Sequence, residues 1–110
     1  MNNIPFLIKR FYIINQILNP KAIRGNHAHK TLNQIIFCIY GSFRLHLDDG
    51  RKKRAILIKD LSKGIYLKKK VWHSMTNFSK DCAILVVADN YYDEHDYIRD
   101  YNQFLKFVKK

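Results

Sequence analysis

Two histidines one residue apart, His27 and His29 in the stretch "RGNHAHKTLNQIIFCIYG" (residues 24–41), are the residues of this sequence best suited to chemistry. On an extended strand such a pair projects from one face, its members roughly 6.6 Å apart along the chain. Ala28 then faces the other way and is small enough for close packing. Histidines at this spacing commonly hold a metal. They can equally hold two proton-transfer groups over one substrate, since an imidazole titrates near pH 6.5 and can both take and give a proton. Single histidines more often sit on solvated surfaces, which is the expectation for His46 and His95.

The elements that must position this pair are mostly strands. "FLIKRFYII" (6–14) is β-branched and aromatic, and "QIIFCIY" (34–40) is a nearly continuous apolar run stopped by Gly41-Ser42. "FRLHLD" (43–48) alternates, with Phe43, Leu45 and Leu47 on one face. Asp49-Gly50 signals a type I′ hairpin turn, whose two central residues both need positive φ, with "RAILI" as the partner strand. A turn at Asp60–Gly64 and short strands at 65–67, 73–78 and 82–88 complete the pattern. From Asp93 onward Tyr97, Tyr101, Phe104, Leu105 and Val108 recur at helical spacing. Asp93 is the expected N-cap, Glu94 and Asp96 suit the first turn, and Lys106, Lys109 and Lys110 suit the far end of the dipole. Antiparallel strands with one terminal helix make an all-β fold, a small barrel or jelly roll with the helix packed outside.

At 110 residues the chain is expected to be one domain, 1–110, with a single core. Its 47% apolar content excludes a disordered chain. The net charge of +11, from 20 Lys+Arg against 9 Asp+Glu, favours phosphate-bearing partners. A nucleic-acid binder would have the charge but lacks the surface aromatics that single-strand binders interleave with it. Cys38 and Cys82 lie in apolar runs without a CxxC pair or a signal peptide, so buried free thiols are expected. Charges interrupt the apolar N-terminus, which reads as neither a secretory leader nor a span. A soluble, cytoplasmic protein is expected.

The joint spacing of His27, His29, Gln34, Gly41, His73 and Asn77 resembles the two-part motif of the cupin superfamily, which implies a cupin-type jelly-roll β-barrel. Metal-binding cupins place a glutamate where this chain has Gln34, and a neutral amide is a poorer ligand for a divalent ion than a carboxylate. His27, His29 and His73 could still hold a metal, so a metal-dependent cupin enzyme is one alternative.

A narrower resemblance covers nearly the whole chain. "IPFLIKRFYI", "RGNHAHK", "GSFRLHLDDG", "VWHSMTNFS" and "YYDEHDYIRDYNQFL" follow in an order similar to the sugar-nucleotide 3,4-ketoisomerases, the WxcM-like or FdtA-type proteins. The resemblance implies conversion of dTDP-4-keto-6-deoxyglucose into its 3-keto isomer, on the way to amino sugars of surface polysaccharides. It implies no metal and no cofactor, His27 and His29 as the catalytic pair, and Arg24 shaping the site or anchoring phosphate. It also implies a homodimer, since N-terminal strands of the family are exchanged between subunits. Within that frame His29 is expected to be the base that removes the C3 proton, and His27 the shuttle between the sugar oxygens. Arg10 and Arg24 suit the diphosphate. Trp72 could stack on thymine or sugar. Gln34 could hydrogen-bond the sugar or orient a histidine, and His73 completes the substrate-binding set. Asn15 stands where the family commonly has a tyrosine near the sugar. A non-catalytic nucleotide-sugar-binding cupin is the other alternative.

Overall fold

The computed structural model describes residues 4–19 and 21–109. Lys110, counted above with the basic end of the helix, lies outside the described residues. Strands β1 (Arg10–Ile14), β2 (Arg24–His29), β3 (Gln34–Tyr40), β4 (Phe43–Asp48), β5 (Lys53–Ile58), β6 (Ile65–Leu67), β7 (Trp72–Thr76), β8 (Ala83–Ala88) and β9 (Tyr97–Ile98) precede helix α1 (Tyr101–Val108). They form a four-stranded sheet in the order β1-β8-β3-β6 and a five-stranded sheet in the order β5-β4-β7-β2-β9, with antiparallel pairing in both. Ile36, Cys38, Ile84 and Val86 of the first sheet pack with Phe43, Leu45, Ile58 and Met75 of the second. This is the expected jelly roll, as two facing sheets that are not closed into a barrel.

Period-2 alternation explains which side chains fill that interior. On β3, Gln34, Ile36 and Cys38 share the inward face; on β4 it is Phe43 and Leu45. Cys38 and Cys82 are buried and free, as their apolar surroundings suggest. Among the described residues no helix is long and apolar enough to cross a membrane.

Three boundaries differ in detail from the expectation. Pairing of the first strand begins at Arg10 rather than at residue 6, after a last bond from Lys9 N to Ala88 O. The strand expected over 73–78 ends at Thr76, because Asn77 takes a left-handed φ of 54° and turns the chain. The hairpin after β4 is a four-residue loop, since Asp48 pairs with Lys53. Gly50 has positive φ there but Asp49 does not. Instead the Asp49 carboxylate accepts from the backbone N–H groups of Arg51 and Lys52, both at 2.8 Å, and so ties the longer loop.

The largest difference is the helix. Asp93 does cap a turn, accepting from His95 N at 3.0 Å, but only a single 3₁₀ turn, Glu94–Asp96, follows. The chain then extends as β9 and pairs with β2 before α1 starts with Asp100 as its cap. Tertiary bonds decide this. The Asp96 carboxylate accepts from Thr31 N, Thr31 Oγ1 and Leu32 N at 2.9, 2.7 and 3.1 Å, contacts that a helix continuing through Asp96 would break. The apolar face of α1 lies against β2 and β9, with Phe104 fully buried beside Ala28 and Ile98.

Candidate active site

One end of the interior is polar. Arg10 and Tyr12 of β1, Gln34 of β3, His27 and His29 of β2 and His73 of β7 all occupy inward positions of their strands. Ala88 pairs with Arg10 on one side and with Gln34 on the other, so its methyl leaves room between two long polar side chains. His27 lies directly across from His73, and His29 from Tyr97. Ala28, turned outward as its alternation requires, is fully buried under α1.

A β-bulge at Asn26 brings Arg24 to the same face as His27. Gly25 pairs with Ser74 and His27 with His73, so Asn26 is the extra residue. Gly25 and Asn26 take φ values of 87° and 62°, which glycine and asparagine tolerate best. A Cβ on Gly25 would also stand 3.1 Å from the His73 carbonyl oxygen. Without the bulge, Arg24 and His27 would point to opposite faces.

The three imidazoles form one cluster, with ring centroids 5.0 Å apart for His27–His29, 4.6 Å for His27–His73 and 5.9 Å for His29–His73. The Tyr97 ring closes one side, 4.8 Å from His27 and 4.5 Å from His29. The Arg99 guanidinium stacks over Tyr97 at 4.3 Å and is held by both oxygens of Glu94, which also accepts from the Tyr92 hydroxyl. A cavity of about 390 Å³ opens in front of the cluster, lined by Tyr12, Asn15, Arg24, His27, His73 and Met75 among others. His29 is not among the residues that line it.

Burial governs the electrostatics. It pulls the His29 pKa down to about 4, helped by neighbouring His27, and the His73 pKa to about 3. His27 is lowered for the same reason. All three rings are therefore neutral at pH 7, and a neutral imidazole is the form that can accept a proton. His27 Nδ1, His29 Nε2 and Arg10 Nη1 are buried without a hydrogen-bond partner among the described residues.

Seven of the eight residues singled out from the sequence gather at this end: Arg10, Asn15, Arg24, His27, His29, Gln34 and His73. Trp72 does not. It sits on the outer face of β7, packed on Tyr101 and Phe104 of α1, because its neighbour His73 takes the inward position. The Gln34 amide donates to the Tyr12 hydroxyl at 3.3 Å. His46 bonds Thr76 Oγ1 at 2.7 Å, and His95 is exposed. Among the described residues no group of three His, Cys, Asp or Glu side chains could hold a metal ion. The Asp96 carboxylate is taken up by Thr31 and Leu32, and the Gln34 amide by Tyr12, so neither adds an oxygen ligand to the three imidazoles. Sequence reasoning missed Tyr12 and Tyr97. The inward alternation of "RFY" from Arg10 could have revealed the first; the second was hidden inside an apparent helix.

The FdtA family model, described as WxcM-like, C-terminal, matches residues 1–109. A TDP-4-oxo-6-deoxy-alpha-D-glucose-3,4-oxoisomerase of Aneurinibacillus thermoaerophilus is 46% identical over 98% of this chain and 77% of its own length. The crystal structure of a 3,4-ketoisomerase from Helicobacter canadensis is 41% identical with a TM-score of 0.93, covering 97% of this chain and 80% of that one. A histidine-to-asparagine variant of the 3,4-ketoisomerase QdtA from Thermoanaerobacterium thermosaccharolyticum, solved with TDP-4-keto-6-deoxyglucose, is 39% identical. Its TM-score is 0.93, covering 96% of this chain and 76% of that one.

Proposed function

The chain belongs to the FdtA family of WxcM-like, C-terminal domains, and from that premise we propose that it is a sugar-nucleotide 3,4-ketoisomerase. Its substrate is a dTDP-4-keto-6-deoxyhexose, whose keto group moves from C4 to C3. The observation that carries this reading is the neutral imidazole cluster at a cavity whose wall includes His27, His73 and Arg24, with the buried Nη1 of half-buried Arg10 at the same end. The reaction needs no external oxidant. A base takes the proton from C3, the C–H electrons form a C3–C4 double bond, and the former carbonyl oxygen takes up a proton to give an enediol. The C3 hydroxyl then loses its proton as C4 gains one, so C3 ends oxidised and C4 reduced.

In this reading His29 is the base and His27, which faces the cavity, moves the proton between the sugar oxygens. Arg10 and Arg24 bind the diphosphate, and Asn15, Gln34 and His73 contact or orient the sugar. Incubating the protein with dTDP-4-keto-6-deoxyglucose and following the sugar by NMR tests the proposal. Appearance of the 3-keto isomer is expected, and unchanged substrate would overturn it.

A homodimer is part of the same proposal. The outer face of the four-stranded sheet exposes Phe11, Ile13, Ile39 and Tyr66, with Phe11 67% exposed, and soluble monomers rarely present a large contiguous apolar patch. A second copy would cover it. Sedimentation of the wild type as a dimer and of Phe11→Glu as a monomer is expected; a monomeric wild type refutes the dimer. The free thiols of Cys38 and Cys82 support a reducing, cytoplasmic location.

A further inference from the structure

A second pocket, with no part in the scheme above, lies on the other side of the β2–β9 ladder. His29 pairs with Tyr97 and both turn inward, so their neighbours Lys30 and Ile98 turn outward. There Lys30, Ile98, Gln103, Lys106 and Phe107 line a pocket of about 230 Å³ against α1. Lys70 joins them, its Nζ 5.8 Å from the centre of the Phe107 ring. Among the described residues none of these three ammonium groups pairs with a carboxylate. Asp96, whose backbone carbonyl accepts from Lys30 N at 2.9 Å, directs its carboxylate to Thr31 and Leu32 instead. Three unpaired cations therefore surround two apolar side chains, Ile98 and Phe107.

We infer that this pocket is a second binding site, for a small organic phosphate whose phosphoryl group is held by Lys30 and Lys106 and whose apolar body lies on Ile98 and Phe107. Lysine binds phosphate as a point charge, without the planar fork that matches a carboxylate. Coulomb attraction grows with the charge of the guest, so a cluster of ammonium groups favours a dianion over a monoanion. The Gln103 amide adds a neutral donor. A bound dianion also offsets the mutual repulsion of Lys30, Lys70 and Lys106. Pockets for drug-sized ligands run to about 300–1,000 Å³, so this one takes a smaller molecule, an aryl or alkyl monophosphate rather than a sugar nucleotide. No residue of the imidazole end takes part, and the inference stands independently of the ketoisomerase reading.

Phenyl phosphate is the probe, titrated into the full chain while backbone amide shifts are followed by NMR. Saturable shifts are expected at Lys30, Ile98, Gln103 and Phe107, and equally in Arg24→Gln, which separates this pocket from the cavity at the histidines. Lys30→Gln combined with Lys106→Gln should weaken binding by about tenfold, the combined worth of two exposed charged contacts. Both side chains are exposed, so the variant should keep the fold, which unmoved amide shifts elsewhere would verify. Inorganic phosphate should bind about tenfold more weakly than phenyl phosphate for want of apolar area to bury. Benzoate, with the ring but a single charge, should also bind more weakly. Absence of saturable shifts at these amides, or undiminished affinity in the double variant, overturns the site. Inorganic phosphate or benzoate binding as tightly as phenyl phosphate overturns the ligand class.

Discussion

His29→Asn and His27→Asn keep bulk and hydrogen bonding but remove a base that works near neutral pH. General acid–base catalysis is typically worth about 10²–10⁴-fold, so each variant should lose turnover to that extent while still binding TDP. Running the reaction in D₂O separates the two roles. His27→Asn should still exchange the C3 hydrogen, having kept its base, whereas His29→Asn should not; the opposite pattern reverses the assignment. His27 lines the cavity and the His29 ring neighbours it at 5.0 Å, which makes this measurement decisive. In the proposed reading the arginines act on binding rather than chemistry. A hydrogen bond to a charged group contributes about 1.5–3 kcal/mol, so Arg24→Gln should weaken TDP binding by tenfold or more, with kcat little changed. Calorimetry across a salt series should show the wild-type affinity falling with ionic strength, and a salt-independent Kd would remove the charge from the account.

The elements that carry these residues are held by polar ties at their ends. Asp96 binds the turn after β2, and Asn33 and Asp89 bind the start of β3 to the end of β8, at 3.0 and 2.9 Å. Helix α1 covers the back of β2 through Phe104 and starts at Asp100, whose carboxylate accepts from Gln103 N at 3.1 Å. Asp100→Ala should therefore cost about 1 kcal/mol in urea denaturation, the usual worth of an N-cap. Asp93→Ala should cost less, because it caps only the 3₁₀ turn. Equal losses at the two positions would contradict this division of the C-terminal segment.

For the whole molecule, the buried imidazoles couple stability to pH. His29 and His73 have folded pKa values of about 4 and 3, against 6.5 when exposed, so between those limits the unfolded chain binds protons that the folded one does not. Stability is then complete above about pH 6.5 and falls as the pH drops toward 4. Each pH unit between the ordinary and the folded value is worth about 1.4 kcal/mol, so the loss should reach several kcal/mol. Thermal melts between pH 7.5 and pH 4 should show a falling Tm, and His73→Gln should flatten the slope. An unchanged slope in that variant would show that His73 does not contribute.

The sequence by itself determined the strand content, most of the strand positions and the shared face of His27 and His29, because a period of two is a local property of the chain. It also determined the family, through motifs spread along its length. Only the tertiary structure decided which distant residues meet. The bulge at Asn26 turns Arg24 toward the histidines, and pairing across β2 and β7 sets His73 against His27. Trp72 is carried to the opposite face by the same alternation that brings His73 inward. The residues from Asp93 to Ile98 had helical spacing, yet the Asp96 bonds and the pairing of β9 with β2 outweigh that local preference and place Tyr97 against His27 and His29. Contacts of that kind depend on register between strands far apart in the chain, which no local pattern encodes.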